Sequence, residues 1–433
     1  MRTLGPGGGD GNVRTLADLG EKLIHHRWED DLTVYILPRP GFVRRYASLT
    51  AGFGSVDLHF VSPDGRTHSV PAGVAHFLEH KMFEDPEAPV LDRFARLGAS
   101  ANAYTSYEVT SYLFSCVDNF WEALDILLGF VQEAHFTRDG VEKEKPIIEQ
   151  EIRMGLDSPH RTVVHNLRRL LFGRHPVRED VAGSLESVRE ISFEHLELCY
   201  RAFYHPSNLV LYVAGDVDPA EVLEHVARAV ARRRPGPAPG FRRVGVPDPG
   251  EPAERAVEQR MSIAIPLLAL GFRDGAYPGG SDLERRLAGE MALEMVAGRG
   301  SELFHRLYRE GLIDDSFAAS YACGRDWAFT VFMGRTPDPT RLGERLREGI
   351  SAALTGWGEA DLDRCRRAAL GQFISLFDSL EAPAYLVPEL HFYGLSLDDY
   401  YRVLQQVDSH AVARYLREAL PPEQAVTSTV IPH

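Results

Sequence analysis

Apolar residues recur along the chain first at every second position, then at every third or fourth, then at every second again, and these changes of period mark out its elements. LTVYILPRP (32–40) and YASLTAGFGSVDLHFV (46–61) are β-rich runs of branched and aromatic residues. GVAHFLEHKMFEDPE, which begins at Gly73, has the spacing of an amphipathic helix, and NAYTSYEVTSYLFSCV (102–117) returns to a near two-residue period and predicts a strand. Helical spacing then dominates from Phe120 to about Tyr204. NLVLYVAGDV (208–217) predicts a further strand, and DPAEVLEHVARAVARRR a further helix with Asp218 at its N-cap.

The stretch RRRPGPAPGFRRVGVPDPGEPAER is rich in proline, glycine and charge, fits neither a helix nor a central strand, and is expected to be a linker. With its bounds at 235–257, the halves are 12–234 and 258–433. Beyond the linker MSIAIPLLALGFRD reads as a strand. A long helical stretch follows, then the β-like SFAASYACGRDWAFTVFMG, then more helices. That order echoes the first half and predicts an internal duplication. A chain of 433 residues, 44% of them hydrophobic, is expected to form two domains of about 200 residues, each with its own core.

Three polar side chains interrupt the helix at Gly73. At 100° per residue His76, Glu79, His80 and Phe83 share one stripe, while Val74, Phe77, Leu78 and Met82 form the apolar stripe beside it. Two imidazoles one turn apart suit a single Zn²⁺, and the neighbouring Glu79 reaches the position a water would occupy, as a hydrolytic zinc site requires. Such a site needs a third ligand from another rigid element. DGVEKEKPIIEQEIRMGLDSP offers Glu142, Glu144, Glu149 and Glu151. Ile147, Ile148 and Ile152 are expected to mark its buried side, and Glu151 follows the first two by four and three residues. Glu149 instead faces Arg153 at i,i+4 as a solvated ion pair. Glu151 is therefore the candidate ligand, and Glu144, two turns earlier, a candidate carboxylate behind it. Pro146 is expected to kink this helix or to start it.

A net charge of -15 argues against nucleic acid or an anionic membrane as partner. Cys116, Cys199, Cys323 and Cys365 lie far apart with no metal-ligand spacing and read as single thiols of a reducing compartment. The opening MRTLGPGGGDGNVRT has no apolar signal region, and no run is long enough to span a membrane. The expectation is a cytoplasmic protein. His25, His26, His175 and His205 have no partners at ligand spacing and read as turn or packing residues.

HFLEH is an inverted zincin motif. Together with the Glu144-to-Glu151 element, GASANAYTSYEVTSYLF between them and FYHPSNLVLYVAGDVDP after them, it resembles the pitrilysin, insulysin and mitochondrial processing peptidase family of zinc metallopeptidases. The segments HFLEHKMFE, VEKEKPIIEQEI and LYREGLIDDSF are most similar to its bacterial processing-protease-like branch. The resemblance implies one zinc per chain held by His76, His80 and Glu151, with Glu79 as general base. It implies an α+β fold of two homologous domains, each a mostly antiparallel sheet backed by helices. It also implies a dimer that encloses a chamber in which flexible peptides are cleaved, with Asn102, Ala103 and Tyr104 of an edge strand contacting substrate.

Active members of that family bring an Arg and a Tyr from the C-terminal domain over the zinc. In ELFHRLYREGLIDDSF the Tyr position aligns with Asp314 and the Arg position falls near Tyr308, with Arg309 one residue away. Three readings follow. The chain is the zinc-bearing subunit of a heterodimer whose partner lacks the zinc motif, or a self-sufficient homodimeric peptidase that uses Arg309, Tyr321 or Arg325, or a non-catalytic assembly protein that keeps the fold.

Overall fold

The computed structural model describes residues 12–16, 20–27, 32–233, 238–248, 254–354 and 356–433. Residues 1–11, on which the reading of a missing signal region chiefly rests, and 234–237 and 249–253 of the expected linker lie outside the described residues. In the first half the strands are β1 (Asn12–Leu16), β2 (Glu21–Arg27), β3 (Thr33–Pro38), β4 (Arg45–Ala51), β5 (His59–Val61), β6 (Thr67–Ser69), β7 (Ser100–Thr105), β8 (Thr110–Cys116) and β9 (Leu209–Gly215). After the short β10 (Arg242–Arg243) come β11 (Ala256–Met261), β12 (Leu267–Arg273), β13 (Ala318–Cys323), β14 (Ala328–Arg335) and β15 (Val426–Pro432).

The large sheet of the first half has the order β1-β2-β3-β9-β4-β8-β7, and that of the second β11-β15-β12-β14-β13. Its last five strands match the second sheet strand for strand. In each unit the first pair, β3 with β9 or β11 with β15, is parallel and the other three pairs are antiparallel. The duplication is thus written in topology, in an α+β fold of mostly antiparallel sheets backed by helices.

Three β-rich runs are not continuous strands. The run 46–61 gives β4, then leaves at Gly52 for β5 in a small sheet with β6 and β10. The stretch 261–274 breaks at Pro266, and 102–117 is a hairpin with its turn at 106–109, because a two-residue period continues unmarked through a tight turn. Strand β15 was not expected at all. It lies between β11 and β12, and its place depends on pairing with Ala256–Met261, far away in sequence.

The halves do not keep separate cores. One face of the first sheet, with Ile36, Leu49, Phe114 and Val213, packs on the first half's helices. Its other face, with Tyr35, Tyr46, Val210 and Tyr212, joins the second half's core, where Ala384, Val387 and Leu390 of the helix Pro383–Phe392 cover it. Coverage of both faces explains why β9 is buried along its whole length. In return the first half's helix Pro159–Leu171 lays Val163, Leu167 and Leu171 on β12 and β15 of the second sheet, against Ala269, Val426 and Val430.

The expected free tether is a fastened strap. Its strand β10 pairs with β5, Arg243 Nε donates to Asp57 Oδ1 at 2.7 Å, and Asp248 accepts from Arg273 Nη1 at 2.8 Å and from His175 N at 3.2 Å. Within the second half, Arg285 and Asp274 form a buried two-point pair at 2.7 and 3.0 Å. Removing Asp274 takes both of these bonds from a buried guanidinium and leaves it the partly exposed Glu418 as its remaining charged partner among the described residues. Asp274→Ala is therefore expected to cost about 3–5 kcal/mol in urea unfolding; a loss under about 1 kcal/mol, the range of an exposed pair, would contradict the buried pairing.

All four cysteines are free, and burial pushes the thiols of Cys116, Cys323 and Cys365 up to about 11. No described helix is long and apolar enough to cross a membrane.

Candidate metal centre

The helix Val74–Met82 begins at Gly73, whose φ of 90° is left-handed and where a Cβ would collide with the Ala182 carbonyl. Val74, Phe77, Leu78 and Met82 bury as expected and Ala75 with them, while Phe83 caps the C-terminal end. The helix is more enclosed than a two-stripe pattern implies. Lys81 is 0% exposed. Its Nζ donates to Gly140 O at 3.0 Å and pairs with Glu84 and, at 3.5 Å, with Glu144.

The second helix runs unbroken from Arg138 to Leu156, with Thr137 accepting from Gly140 N at 3.0 Å as its N-cap. Pro146 neither starts nor ends it. Val141, Ile148 and Ile152 form its buried side, but Ile147, expected there, is 52% exposed. Ile147, Glu151 and Met154 lie at i, i+4 and i+7 and share an outward stripe, so Glu151 stands beside the core and not within it. Glu149 binds Arg153 at 2.9 Å, as the i,i+4 spacing predicts, and also Arg189 at 2.8 Å. Glu142 pairs with Lys145 at 2.8 Å.

These two helices bring His76, His80 and Glu151 together, with ligand atoms within 4.8 Å of one another. Glu151 Oε2 lies 3.8 Å from His76 Nε2 and 3.5 Å from His80 Nε2. A four-coordinate zinc with bonds of about 2.0–2.1 Å sets its ligands about 3.3 Å apart, so the three atoms fit such an ion after small rotations. The donor chemistry fits as well. Burial, and then the neighbouring His80, lower the pKa of His76 to about 4, which leaves a neutral imidazole with a free lone pair. Burial also opposes protonation of His80, but the hydrogen bond it donates to Glu144 and the charge of Glu151 outweigh it and raise its pKa. A site that favours positive charge on His80 is one with carboxylates in excess.

Glu144 Oε1 lies 3.1 Å from His80 Nδ1. A proton on Nδ1 makes that contact a donated N–H and leaves Nε2 facing Glu151. Glu79 is buried, and its Oε2 accepts a 2.6 Å hydrogen bond from Thr105 Oγ1 on β7. Burial raises the Glu79 pKa, and the Thr105 bond works against the rise. Nothing in the sequence ties Thr105 to Glu79 or Lys81 to Glu144, because a strand threonine and a helix lysine carry no spacing that would reveal a partner.

The expected substrate strand is the first arm of the hairpin and the edge of its sheet. Successive side chains alternate between faces. Ala103 joins the core on the metal helix's side, and Tyr104 on the other face meets Tyr385 in a tilted ring contact at 5.1 Å. Asn102 is exposed, and its Oδ1 accepts from Ala103 N at 2.9 Å.

In the second half Tyr308 is exposed and Asp314 pairs with Arg335 at 2.8 Å. Two of the residues considered as replacements are already engaged. The Tyr321 hydroxyl donates to Asp274 at 2.7 Å, and Arg325 binds Asp57 at 2.6 Å. Arg309 Nε donates to His305 O at 3.2 Å in its own helix. Of the other histidines, His25 stacks on Tyr35 at 4.7 Å, burial lowers the pKa of His26, and His205 Nδ1 caps Ser207 N at 3.2 Å. His175 does more than pack: it bridges the halves by donating to Asp326 at 3.2 Å.

The insulinase (peptidase family M16) model matches residues 68–184, the span that contains both helices and the hairpin. The peptidase M16 inactive domain model matches 190–369. The chain is 34% identical to YmfH of Bacillus subtilis (strain 168), an uncharacterized zinc protease, over 96% of this chain and 97% of that one. It is 32% identical to ML0855 of Mycobacterium leprae (strain TN), also an uncharacterized zinc protease, over 69% and 67%. Among solved structures an M16-like protein from Alicyclobacillus acidocaldarius is similar with a TM-score of 0.90 and 35% identity, covering 96% of this chain and 99% of that one. Likeness of this extent, in both halves and in the span that carries the clustered imidazoles and carboxylate, makes the chain a member of the insulinase family, peptidase family M16.

Proposed function

We propose that the protein is a zinc-dependent endopeptidase for unfolded or flexible peptides, with His76, His80 and Glu151 holding the zinc and Glu79 acting as general base. The observation that carries this reading is the convergence of two imidazole Nε2 atoms on one carboxylate oxygen, with a second, buried carboxylate on the same helix as the histidines. When bound, zinc supplies Lewis acidity that polarises a carbonyl and brings a water near neutral deprotonation. Thr105 holds one oxygen of Glu79 and leaves the other to take a proton from the attacking water. Glu79 then returns that proton to the departing amine. Glu144 orients His80, and the open edge of β7 at Asn102, Ala103 and Tyr104 binds extended peptide through its backbone. Ile147 and Met154, exposed on either side of Glu151, offer apolar surface to the same peptide.

The engaged state of Tyr321 and Arg325 favours a heterodimer over a homodimer, with a homologous partner that lacks the zinc motif but supplies the cation and hydroxyl over the scissile carbonyl. Four free thiols and a net charge of -15 support a cytoplasmic enzyme without nucleic acid partners.

The test is hydrolysis of a mixed pool of quenched, unstructured peptides by the purified chain, with and without a strong chelator. Hydrolysis that the chelator stops and zinc restores supports the peptidase; hydrolysis indifferent to the chelator sinks it. A zinc-loaded but silent chain directs attention to the partner. Glu144→Gln is expected to weaken zinc binding about 10–100-fold in competition with a chromophoric chelator. Unchanged affinity would remove Glu144 from the site.

A further inference from the structure

The hairpin β7–β8 links Glu79 to the other half of the molecule. Thr105, whose hydroxyl holds the Glu79 carboxylate, is the last residue of β7 and pairs with Thr110 across the turn. Three residues on, at the tip, stands Glu108, and among the described residues the donors on its carboxylate come from the C-terminal half. Its Oε1 accepts from Arg325 N at 2.6 Å and Trp327 Nε1 at 3.2 Å, and its Oε2 from the Tyr393 hydroxyl at 2.7 Å. Arg325 Nη1 adds an ion pair at 3.9 Å. These donors belong to the tip of the matching hairpin β13–β14 and to the end of the helix Pro383–Phe392. That helix also supplies Tyr385, whose ring packs at a tilt against Tyr104 of β7.

Strand β7 is a sheet edge, so its backbone ladder has one partner, β8, and its position depends on what holds the tip. The N-terminal half contributes two backbone bonds there, Ser55 N to Ser106 O at 3.0 Å and Val56 N to Tyr107 O at 2.9 Å. Side-chain anchorage of Glu108 comes from across the junction. The same Arg325 binds Asp57, which also pairs with Arg243 of the strap, so hairpin tip, strap and C-terminal half meet in one charged network.

We propose that Thr105 is a positioning residue for the base Glu79, and that the C-terminal half sets its position by clamping Glu108 at the hairpin tip. The inference rests on the reading of Glu79 as general base. It assigns the second half of the chain a part in orienting a site to which it gives no ligand. A hydrogen bond to a carboxylate is a strong one, and loss of orientation at a reacting group lowers the rate of the chemical step more than it lowers binding.

The experiment uses the full-length, zinc-loaded chain, with the partner subunit present if activity requires it. Thr105→Val is expected to keep its zinc and its KM within about twofold while kcat falls about 10–100-fold, and Thr105→Ser to recover most of kcat. A Thr105→Val enzyme with wild-type kcat overturns the positioning role. The clamp is read without activity, by amide hydrogen exchange over residues 100–106. Glu108→Ala, and the milder Tyr393→Phe should the former fold poorly, are expected to speed exchange there about tenfold or more, with helix 120–132 unchanged. Unaltered exchange in 100–106 in the folded variants overturns the clamp whether or not the enzyme turns over. Failure of the peptidase reading looks different: wild-type protein then shows no hydrolysis that depends on Glu79, whatever the exchange data say.

Discussion

Glu79→Gln protein is expected to bind as much zinc as the wild type and to hydrolyse unstructured peptides about 10²–10⁴-fold more slowly. The amide keeps the shape of the carboxylate and still accepts the Thr105 hydrogen bond, so the helix and its histidines have no reason to move. What it lacks is the capacity to take a proton from water, and general-base catalysis by a placed side chain contributes about 10²–10⁴-fold. The paired measurement is zinc content by elemental analysis and kcat/KM on one quenched peptide. Equal zinc with lost turnover separates Glu79 from the metal ligands. Turnover within about threefold of the wild type would mean that another group takes the proton, and loss of zinc would mean that Glu79 helps hold the metal.

Glu151→Gln has the opposite signature. The histidines remain one turn apart on their own helix, but the site loses its anionic ligand, and zinc affinity is expected to fall by more than the roughly 10–100-fold that follows loss of a supporting carboxylate. Activity falls with occupancy. Thermal unfolding offers an independent check, because a ligand at about 100 times its Kd stabilises the folded state by about 2.7 kcal/mol. Added zinc should raise the wild-type Tm and leave that of Glu151→Gln nearly unchanged. Glu151 is partly exposed on a helix whose core contacts are Val141, Ile148 and Ile152, so the substitution is not expected to unfold the apoprotein. A variant that retained full zinc at limiting concentration would show the ligand set to be wrong.

The contrast between these variants reflects how the site is encoded. His76, Glu79 and His80 belong to one helix, and Glu144 and Glu151 to another. Their spacing within each helix follows from 3.6 residues per turn, so both groups are legible from sequence. Where a helix leans on its neighbours was less legible. Ile147 carries the same hydrophobic label as Ile148 yet faces outward, and Lys81 carries a polar label yet is buried, because the body of the fold passes over one and not the other. Pro146 lies inside a helix that the first-turn preference of proline would have started there.

The strand readings divide in the same way. β3 and β9 were legible as runs of branched residues. That they pair in parallel was not, and neither was the entry of Val426–Pro432 into the sheet between β11 and β12. A turn such as 106–109, built without Gly or Pro, left one long run where the chain makes a hairpin. The tip of that hairpin, at Glu108, touches the C-terminal half.

By itself, the sequence determined what depends on neighbours within a few residues: which segments are helices, which side chains share a stripe, and that two histidines and a glutamate stand together on one turn. Only the tertiary structure decided what depends on segments far apart in the chain. It set the exchange of covering helices between the halves, the strap at Asp57 and Asp248, the Thr105 hydroxyl on Glu79 and the three donors on Glu108. Those contacts form when apolar faces exclude water and bring their polar neighbours with them, and no local period records which face will meet which.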